Sequence, residues 1–522
     1  MVSGVSLSIL TLASRVLGLL REITKARFLG TSVYADAFAI AFMIPNLLRR
    51  LFAENSISVA FIPTFRDFLS RSDENAATET KAFVSATLTL VTFLTAIVVT
   101  IGIVFSPIIA PLFYKGDESE AIKEMILLTR IMFPYLFFIS LAAFFQGVLN
   151  GVRIFAPSGF TPILFNAIVV GATYILSPHM ENPARAMAVG VTAGGIVQAF
   201  FQLPFVLKTK WLTGLSSLKK TFTNKGTRRV CALIVPTIIG MAAYQLNDAV
   251  STALAGNAET GTVSSLQYSL RLQELILGIF AVSIGTVILP DLSALAKKDK
   301  WNDFNEMLSK SMKIIALIAL PVTFFSLICG REIISLIYKS NKFGEQSILM
   351  TLHAFRFHIA GLFFIALNRI VSPAFYAQGD TRSPTVAGIF GFFVNIALAL
   401  ALVSPFGGGG IALALSVASF MNTVALLFFL RRNKKINVKS VTTGTVLYAA
   451  KITIFSILAA IPTYFLRSLV LPRVSSFGKI VSQGVPLVLC ALIFAIFGIA
   501  LLFVTHDEIL SVITEKVKNR KR

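Results

Sequence analysis

The stretch FVSATLTLVTFLTAIVVTIGIVF, residues 83–105, carries no charged side chain and is long enough to cross the hydrocarbon core of a bilayer as a helix. Similar apolar runs recur on both sides of it, and of the 522 residues in the chain 55% are hydrophobic and only 14% are charged. A protein of this size with so few polar side chains could not fold as a domain surrounded by water. The sequence therefore predicts an all-α polytopic membrane protein with little room for a soluble domain.

Apolar runs and their polar interruptions predict about fourteen transmembrane helices. Predicted helices 1 to 6 cover residues 3–28, 35–68, 82–109, 122–149, 157–177 and 185–207. Predicted helices 7 to 14 cover residues 230–255, 264–294, 309–338, 348–377, 383–404, 409–431, 443–467 and 481–505. The first of them has no basic leader and no signal-peptidase site, so we expect it to be retained.

Basic residues collect in the connections that follow even-numbered predicted helices, most densely between residues 208 and 229. The odd-numbered connections include the acidic segment 116–120. Because cytoplasmic loops are enriched in Lys and Arg, this alternation predicts that both termini, including a basic tail at 507–522, are cytoplasmic and that the protein lies in the inner membrane. Membrane topology also accounts for most of the net charge of +22, so we do not expect nucleic acid as a partner.

Weak sequence marks recur at an offset of about 228 residues, which suggests an internal duplication. Residues 61–63 recur as 288–290, residues 151–157 as 379–384, and Asn166 as Asn395. Glycine and proline near loops are the simpler explanation of each mark alone, but the marks share one offset. We therefore predict two pseudo-symmetric six-helix lobes, an N-lobe at 1–208 and a C-lobe at 228–431, followed by helices 13 and 14 at 440–506. Such lobes are typical of alternating-access transporters, whose substrate binds between them.

Charged side chains inside the predicted helices are the candidate binding residues, because each costs about 2.5–3.5 kcal/mol at a helix centre unless it meets water or a partner. Arginine stays protonated and presents a planar fork of donors, which suits a diphosphate better than a transported cation. The sequence thus predicts an anionic substrate and five candidate substrate-binding residues, which are Arg15, Arg21, Arg49, Arg50 and Arg271.

Acidic residues accompany these arginines as candidate cavity or gating groups, and they are Asp36, Glu54, Asp248 and Glu274. The spacings of Arg50 to Glu54 and of Arg271 to Glu274 also permit simple ion pairs on one helix face. Arg15, Arg21 and Arg49 have no acid three or four residues away, which leaves a surplus of positive charge. Asp248 lies in a polar stripe of predicted helix 7 with Thr237, Tyr244 and Ser251, where interhelical hydrogen bonding, a cavity-facing role and a cation site all stay open.

Motifs for enzymatic chemistry are missing from the sequence. It contains no phosphate-cradling glycine loop, no HExxH and no nucleophile elbow, and Cys231, Cys329 and Cys490 lie singly in apolar stretches. We therefore expect a transporter without catalytic residues, metal or cofactor. An ion gradient, for example of sodium, the membrane potential or consumption of the substrate would have to supply the energy.

The segments 14–22, 36–38, 45–54 and 60–63 closely resemble the MurJ/MviN lipid II flippases of the multidrug/oligosaccharidyl-lipid/polysaccharide exporter superfamily. The resemblance continues through Arg271, Glu274 and residues 285–290 and covers essentially the whole chain. It implies translocation of lipid II, the undecaprenyl-diphosphate-linked peptidoglycan precursor, from the inner to the outer leaflet by alternating access.

The resemblance also implies roles for individual residues. Arg15, Arg21, Arg49 and Arg271 would bind the diphosphate and sugar head, while Asp36, Glu54 and Glu274 would gate or orient those arginines. Helices 13 and 14 would form a groove for the polyprenyl tail. Some members have a sodium site with acids on helices 7 and 11, but Ala399 stands four residues after Asn395, where such an acid is expected, so sodium coupling stays open.

The sequence leaves three other functions open. A multidrug antiporter of the same superfamily would favour acids over arginines in its cavity, and a polysaccharide-lipid flippase would share the anionic carrier but lack the NLLRR segment at 46–50. A membrane scaffold for cell-wall enzymes is the alternative without transport. The expected partners are lipid II, membrane lipids and the cell-wall synthesis machinery.

Overall fold

The computed structural model describes residues 2–54, 57–72, 74–114, 119–474 and 476–510, and within them the chain is helical and contains no strand. Side chains are described for these residues except 2–9, 52–54, 57–58, 119, 235–237, 239–244 and 279–287. The predicted all-α fold class is confirmed.

A first compact unit comprises Met1–Ser264 together with Ser340–Lys342. Its helices are α1 (Val2–Leu29), α2 (Val33–Leu48), α3 (Ile62–Leu69), α4 (Ala76–Val104), α5 (Ser106–Ile109), α6 (Ser119–Gly151), α7 (Ala156–Leu176), α8 (Pro183–Lys208), α9 (Leu218–Thr223) and α10 (Lys225–Gly256). Two π-helical segments, Arg49–Glu54 and Ile57–Phe61, lie between α2 and α3.

A second compact unit comprises Ser265–Lys339 and Phe343–Arg522. It holds most of α11 (Thr262–Lys297), then α12 (Trp301–Tyr338), α13 (Glu345–Ala360), α14 (Leu362–Tyr376), α15 (Arg382–Leu430), α16 (Val438–Val474) and α17 (Val485–Val504). By its contacts α10, which covers predicted helix 7, belongs to the first unit. The functional division into lobes at residues 208 and 228 stays a prediction.

Eight helices of the described residues are long and apolar enough to cross a membrane, or nine if the bent pair α13 and α14 forms one span. The protein is therefore a multi-pass membrane protein, while the count of fourteen spans stays a prediction. Predicted helices 11 and 12 both fall in α15, whose backbone leaves the helical region at Gly407 with φ of 52° and ψ of −134°. This left-handed conformation strongly favours glycine and places a turn in the glycine run 407–410.

The break between α13 and α14 bends the chain by 42° and interrupts the helical hydrogen-bond pattern in an apolar environment. Side chains from neighbouring helices donate hydrogen bonds to three consecutive backbone carbonyls there. The Ser416 hydroxyl donates to the Phe357 carbonyl at 2.6 Å, and the Thr323 hydroxyl donates to the Ile359 carbonyl at 3.3 Å. The Gln273 amide donates to the carbonyl between them, that of His358. The bend is thus stabilised by polar groups of α11, α12 and α15.

Gly361 sits at this bend, where a Cβ would lie 2.4 Å from Ser416 Oγ and 2.8 Å from Ser416 Cα. We expect Gly361→Ala to destabilise the fold by about 1–3 kcal/mol, because it overpacks the contact and displaces the hydroxyl from the Phe357 carbonyl. The apparent melting temperature of the purified protein in detergent should fall clearly. Gly388→Ala is the matched control, since a Cβ there has no neighbour within 4 Å. Equal melting temperatures for the two variants would contradict this account of the bend.

Candidate functional site

Helix α1 presents two of the predicted binding arginines in different environments. Arg15 is exposed, whereas the Arg21 side chain is 18% exposed and its guanidinium lies 5.7 Å from the centroid of the Phe165 ring of α7. Arg21 Nη2 also contacts Glu22 Oε1 at 2.8 Å. Sequence reasoning looked for acids three or four residues away and missed this pair of neighbours. Arg21 is therefore held in place by a ring and a carboxylate.

Asn166 of α7 contacts the same stretch of α1. In the sequence it stood out only because it recurs as Asn395 in the internal repeat. Its side-chain amide donates to the Ser14 carbonyl at 3.4 Å and would lie 3.7 Å from a Cβ at Gly18. The side chain is buried, and its Oδ1 has no hydrogen-bond partner among the described residues. Asn166 thus places a polar group beside the segment between Arg15 and Arg21, which makes it a further candidate residue.

The end of α2 brings Arg49 and Arg50 next to a residue distant in sequence. Arg49 Nε donates to Asn46 Oδ1 at 3.1 Å, and Arg50 Nη1 contacts Asp248 Oδ2 of α10 at 3.3 Å. The side chains of this ion pair are 34% and 50% exposed. Because exposed pairs contribute about 0–1 kcal/mol, a multiply charged phosphate could compete for Arg50.

Several predicted contacts fall on side chains that the structure does not describe. The side chain of Glu54 is among them, so its predicted pairing with Arg50 stays a prediction. The side chains of Thr237 and Tyr244 in the polar stripe also lie outside the described ones. For Asp248 the structure shows the contact with Arg50, an acid–arginine pair that links α10 to the end of α2. Within the described residues no group of three His, Cys, Asp or Glu side chains could hold a metal ion.

Asp36 is 2% exposed and caps the first turn of α11. Its Oδ2 accepts a hydrogen bond from the Gly261 amide at 2.7 Å, and its Oδ1 accepts one from the Ser264 amide at 2.8 Å. A carboxylate at this place satisfies free N–H groups and complements the positive end of the helix dipole. Gly261 has φ of 90°, which favours glycine and lets the chain turn its amide toward Asp36. In the structure, therefore, this predicted gating acid connects α2 to the start of α11.

Arg271 and Glu274 lie one turn apart on α11 in the second unit. Arg271 Nη1 contacts Glu274 Oε2 at 2.7 Å, the i,i+3 pair that the spacing permits, and the side chains are 44% and 53% exposed. An exposed pair of this kind adds about 0–1 kcal/mol, which leaves the guanidinium able to bind an anion.

Two further arginines were overlooked in the sequence, although the rule that singled out the others applies to them. Arg356 in α13 and Arg369 in α14 are exposed, and neither has an ion pair or side-chain hydrogen bond with the described residues. A charge inside an apolar helix is the signal that could have found both.

Comparison with known proteins finds similar sequences over nearly the whole chain. A family model described as lipid II flippase MurJ matches residues 25–482. A Treponema pallidum protein named probable lipid II flippase MurJ is 47% identical over 509 residues, which are 97% of this chain and 96% of that protein. The lipid II flippase MurJ of Burkholderia cenocepacia is 32% identical over 426 residues, which are 81% of this chain and 82% of that protein.

Solved structures show the same relationship at the level of the fold. The lipid II flippase MurJ in an inward closed conformation superposes with a TM-score of 0.78 at 25% identity, over 96% of this chain and 99% of that chain. An inward-facing multidrug resistance MATE family transporter of the MOP superfamily superposes with a TM-score of 0.56 at 13% identity, over 81% and 99% of the two chains. The second likeness shows a shared fold only.

Proposed function

The chain belongs to the MurJ family of lipid II flippases, and from that premise we propose that it carries lipid II from the inner to the outer leaflet of the cytoplasmic membrane by alternating access. Like its relatives, which are named flippases, it is a membrane transporter and not an enzyme. The family resemblance read from the sequence is confirmed, and neither the multidrug antiporter nor the polysaccharide-lipid flippase is favoured.

The observation that carries the mechanism is the arginine pair at the end of α2. Arg49 and Arg50 are half-buried at the start of a π-helical segment, and Arg50 contacts the half-exposed carboxylate of Asp248 from α10. Arginine–phosphate contacts are charge-assisted and can be bidentate, so a diphosphate offers more to these side chains than Asp248 does. We propose that Arg49 and Arg50, with Arg15, Arg21 and Arg271, bind the diphosphate and sugar head.

The acids have supporting roles in this proposal. Asp248 and Glu274 neutralise Arg50 and Arg271 when no substrate is bound, and both pairs are exposed enough to exchange. Asp36 holds the first turn of α11 to α2, because a movement of this turn relative to α2 would break its two amide contacts. Glu54 is proposed to act beside Arg50 on the strength of its spacing alone.

The polyprenyl tail is assigned to the last two spanning helices, α16 and α17. Only 17% and 11% of their most apolar windows are buried, lower shares than in the other six single helices that could span a membrane. Exposed apolar side chains on them suit an isoprenoid chain as well as they suit lipid. Cytoplasmic termini, coupling to sodium or the membrane potential, and contact with the cell-wall synthesis machinery are likewise proposals.

Complementation tests the proposal in cells. We expect the wild-type chain to rescue bacteria depleted of their own lipid II flippase and to restore the appearance of lipid II in the outer leaflet, measured by its accessibility to an external enzyme that cleaves the lipid-linked head. An empty vector controls for leakage. A stable, inserted wild-type protein that restores neither growth nor outer-leaflet lipid II would contradict the proposal.

A further inference from the structure

The connection between α8 and α10 carries a basic and apolar surface for which the transport mechanism has no use. It consists of an irregular segment, residues 209–217, and the short helix α9. Three large apolar side chains point outward from it: Leu215 is 68% exposed, Leu218 is 44% exposed and Phe222 is 48% exposed. Together with the flanking residues Lys208, Asn224 and Lys225, this segment is called the connecting platform, residues 208–225.

The connecting platform is held firmly against α4. The Ser216 amide donates to Thr89 Oγ1 at 2.8 Å, and the hydroxyls of Ser85 and Thr213 lie 2.9 Å apart. The ring of Phe222 meets that of Phe93 edge-on, with centroids 6.5 Å apart. Side chains of α4 thus satisfy polar groups of an irregular segment, which fixes its height along the helix.

The exposure of α4 changes along its length and indicates where its lipid-facing surface begins. Residues 83–90 are all buried, and beyond them the helix exposes a stripe of apolar side chains. That stripe contains Phe93, Leu94, Ile97 and Ile101, which are 37%, 46%, 40% and 50% exposed. The stripe begins at Phe93, which Phe222 touches, and this contact puts Phe222 beside the apolar surface that α4 would turn to lipid.

The charges on the platform have few protein partners. The same segment carries five exposed lysines, which are Lys208, Lys210, Lys219, Lys220 and Lys225. None of their ammonium groups pairs with a carboxylate among the described residues, whereas the nearby Arg229 pairs with Asp67 at 2.6 Å. Unneutralised lysines beside apolar side chains at a membrane surface are the combination that binds anionic lipid.

We propose that the connecting platform binds anionic phospholipid headgroups of the inner leaflet. Its lysines contact the phosphates, and Leu215, Leu218 and Phe222 enter the boundary between headgroups and acyl chains. This ligand is a resident lipid, distinct from the transported one, so the proposal goes beyond the flippase function. A basic side chain near an anionic surface strengthens binding to that surface about fivefold. Two lysines together therefore strengthen it more than tenfold.

Tryptophan fluorescence can test this on the full chain, which has two tryptophans. Trp211 belongs to the platform, with its ring 6.3 Å from that of Phe65, and Trp301→Phe makes it the sole indole. The protein is reconstituted into vesicles of phosphatidylcholine and phosphatidylglycerol in which one or the other lipid is brominated. We expect Trp211 to be quenched more by brominated phosphatidylglycerol, and we expect added salt to remove the preference.

The lysine variant and its control decide the outcome. Lys219→Gln with Lys220→Gln should weaken the preference for the anionic lipid more than tenfold. Lys297→Gln with Lys298→Gln, exposed lysines of another connection, should leave it unchanged. Equal quenching by the two lipids, or a preference insensitive to salt and to the platform variant, would overturn the proposal. The vesicles contain no lipid II, so failure here is distinguishable from failure of the flippase function.

Discussion

Replacing Arg49 with alanine is expected to abolish rescue of cells depleted of their lipid II flippase. A hydrogen bond to a charged group contributes about 1.5–3 kcal/mol, so losing the guanidinium should weaken binding of the diphosphate about tenfold to about a hundredfold. Outer-leaflet lipid II should then fall to the level of the empty vector. Arg49→Lys keeps the charge but loses the planar fork, and we expect partial rescue from it.

The control for Arg49 is Arg71→Ala, which removes another arginine of the first unit. Arg71 contacts Glu79 at 2.9 Å in an exposed pair, so its loss should cost about 1 kcal/mol or less and leave transport intact. Amounts of both variants in the membrane are compared by immunoblot before export is scored. Full rescue by Arg49→Ala would remove this residue from the binding site, and failure of both variants would point to a general loss of folding.

Replacing Asp36 with alanine is expected to be the most destabilising single change among the charged candidates. It would leave the buried amides of Gly261 and Ser264 without an acceptor, at about 1–3 kcal/mol each, or about 2–6 kcal/mol together. Asp36→Asn keeps one acceptor oxygen, so its melting temperature should lie between that of Asp36→Ala and that of the wild type. The measurement is the apparent melting temperature of the purified protein, with export scored in parallel.

The control for Asp36 is Asp67, a carboxylate that is exposed where Asp36 is buried. It pairs with Arg229 at 2.6 Å, with both side chains more than half exposed, so Asp67→Ala should shift the melting temperature little. If Asp36→Ala melts like Asp67→Ala, the capping contact does not hold α11. If the asparagine variant is stable but does not export lipid II, the role of Asp36 in holding α11 to α2 gains support independently of stability.

Local sequence was sufficient for much of the fold. Uncharged runs such as 83–105 predicted membrane helices, because placing an apolar segment in the bilayer is favourable whatever the arrangement of the other helices. The ion pair of Arg271 and Glu274 was readable from its spacing, since residues three apart face the same side of a helix. The turn within residues 407–410 followed from glycine, which can adopt the positive φ found at Gly407.

The sequence by itself determined the membrane class, the helical fold and which charged residues needed an explanation. Only the tertiary structure decided how those charges are satisfied. Asp36 caps amides 225 and 228 residues further on, and Arg50 finds Asp248 at a separation of 198 residues. Periodicity records which face of a helix is apolar, because that depends on neighbours a few residues away. Which polar groups meet across helices depends on packing of the whole chain, and no local pattern specifies it.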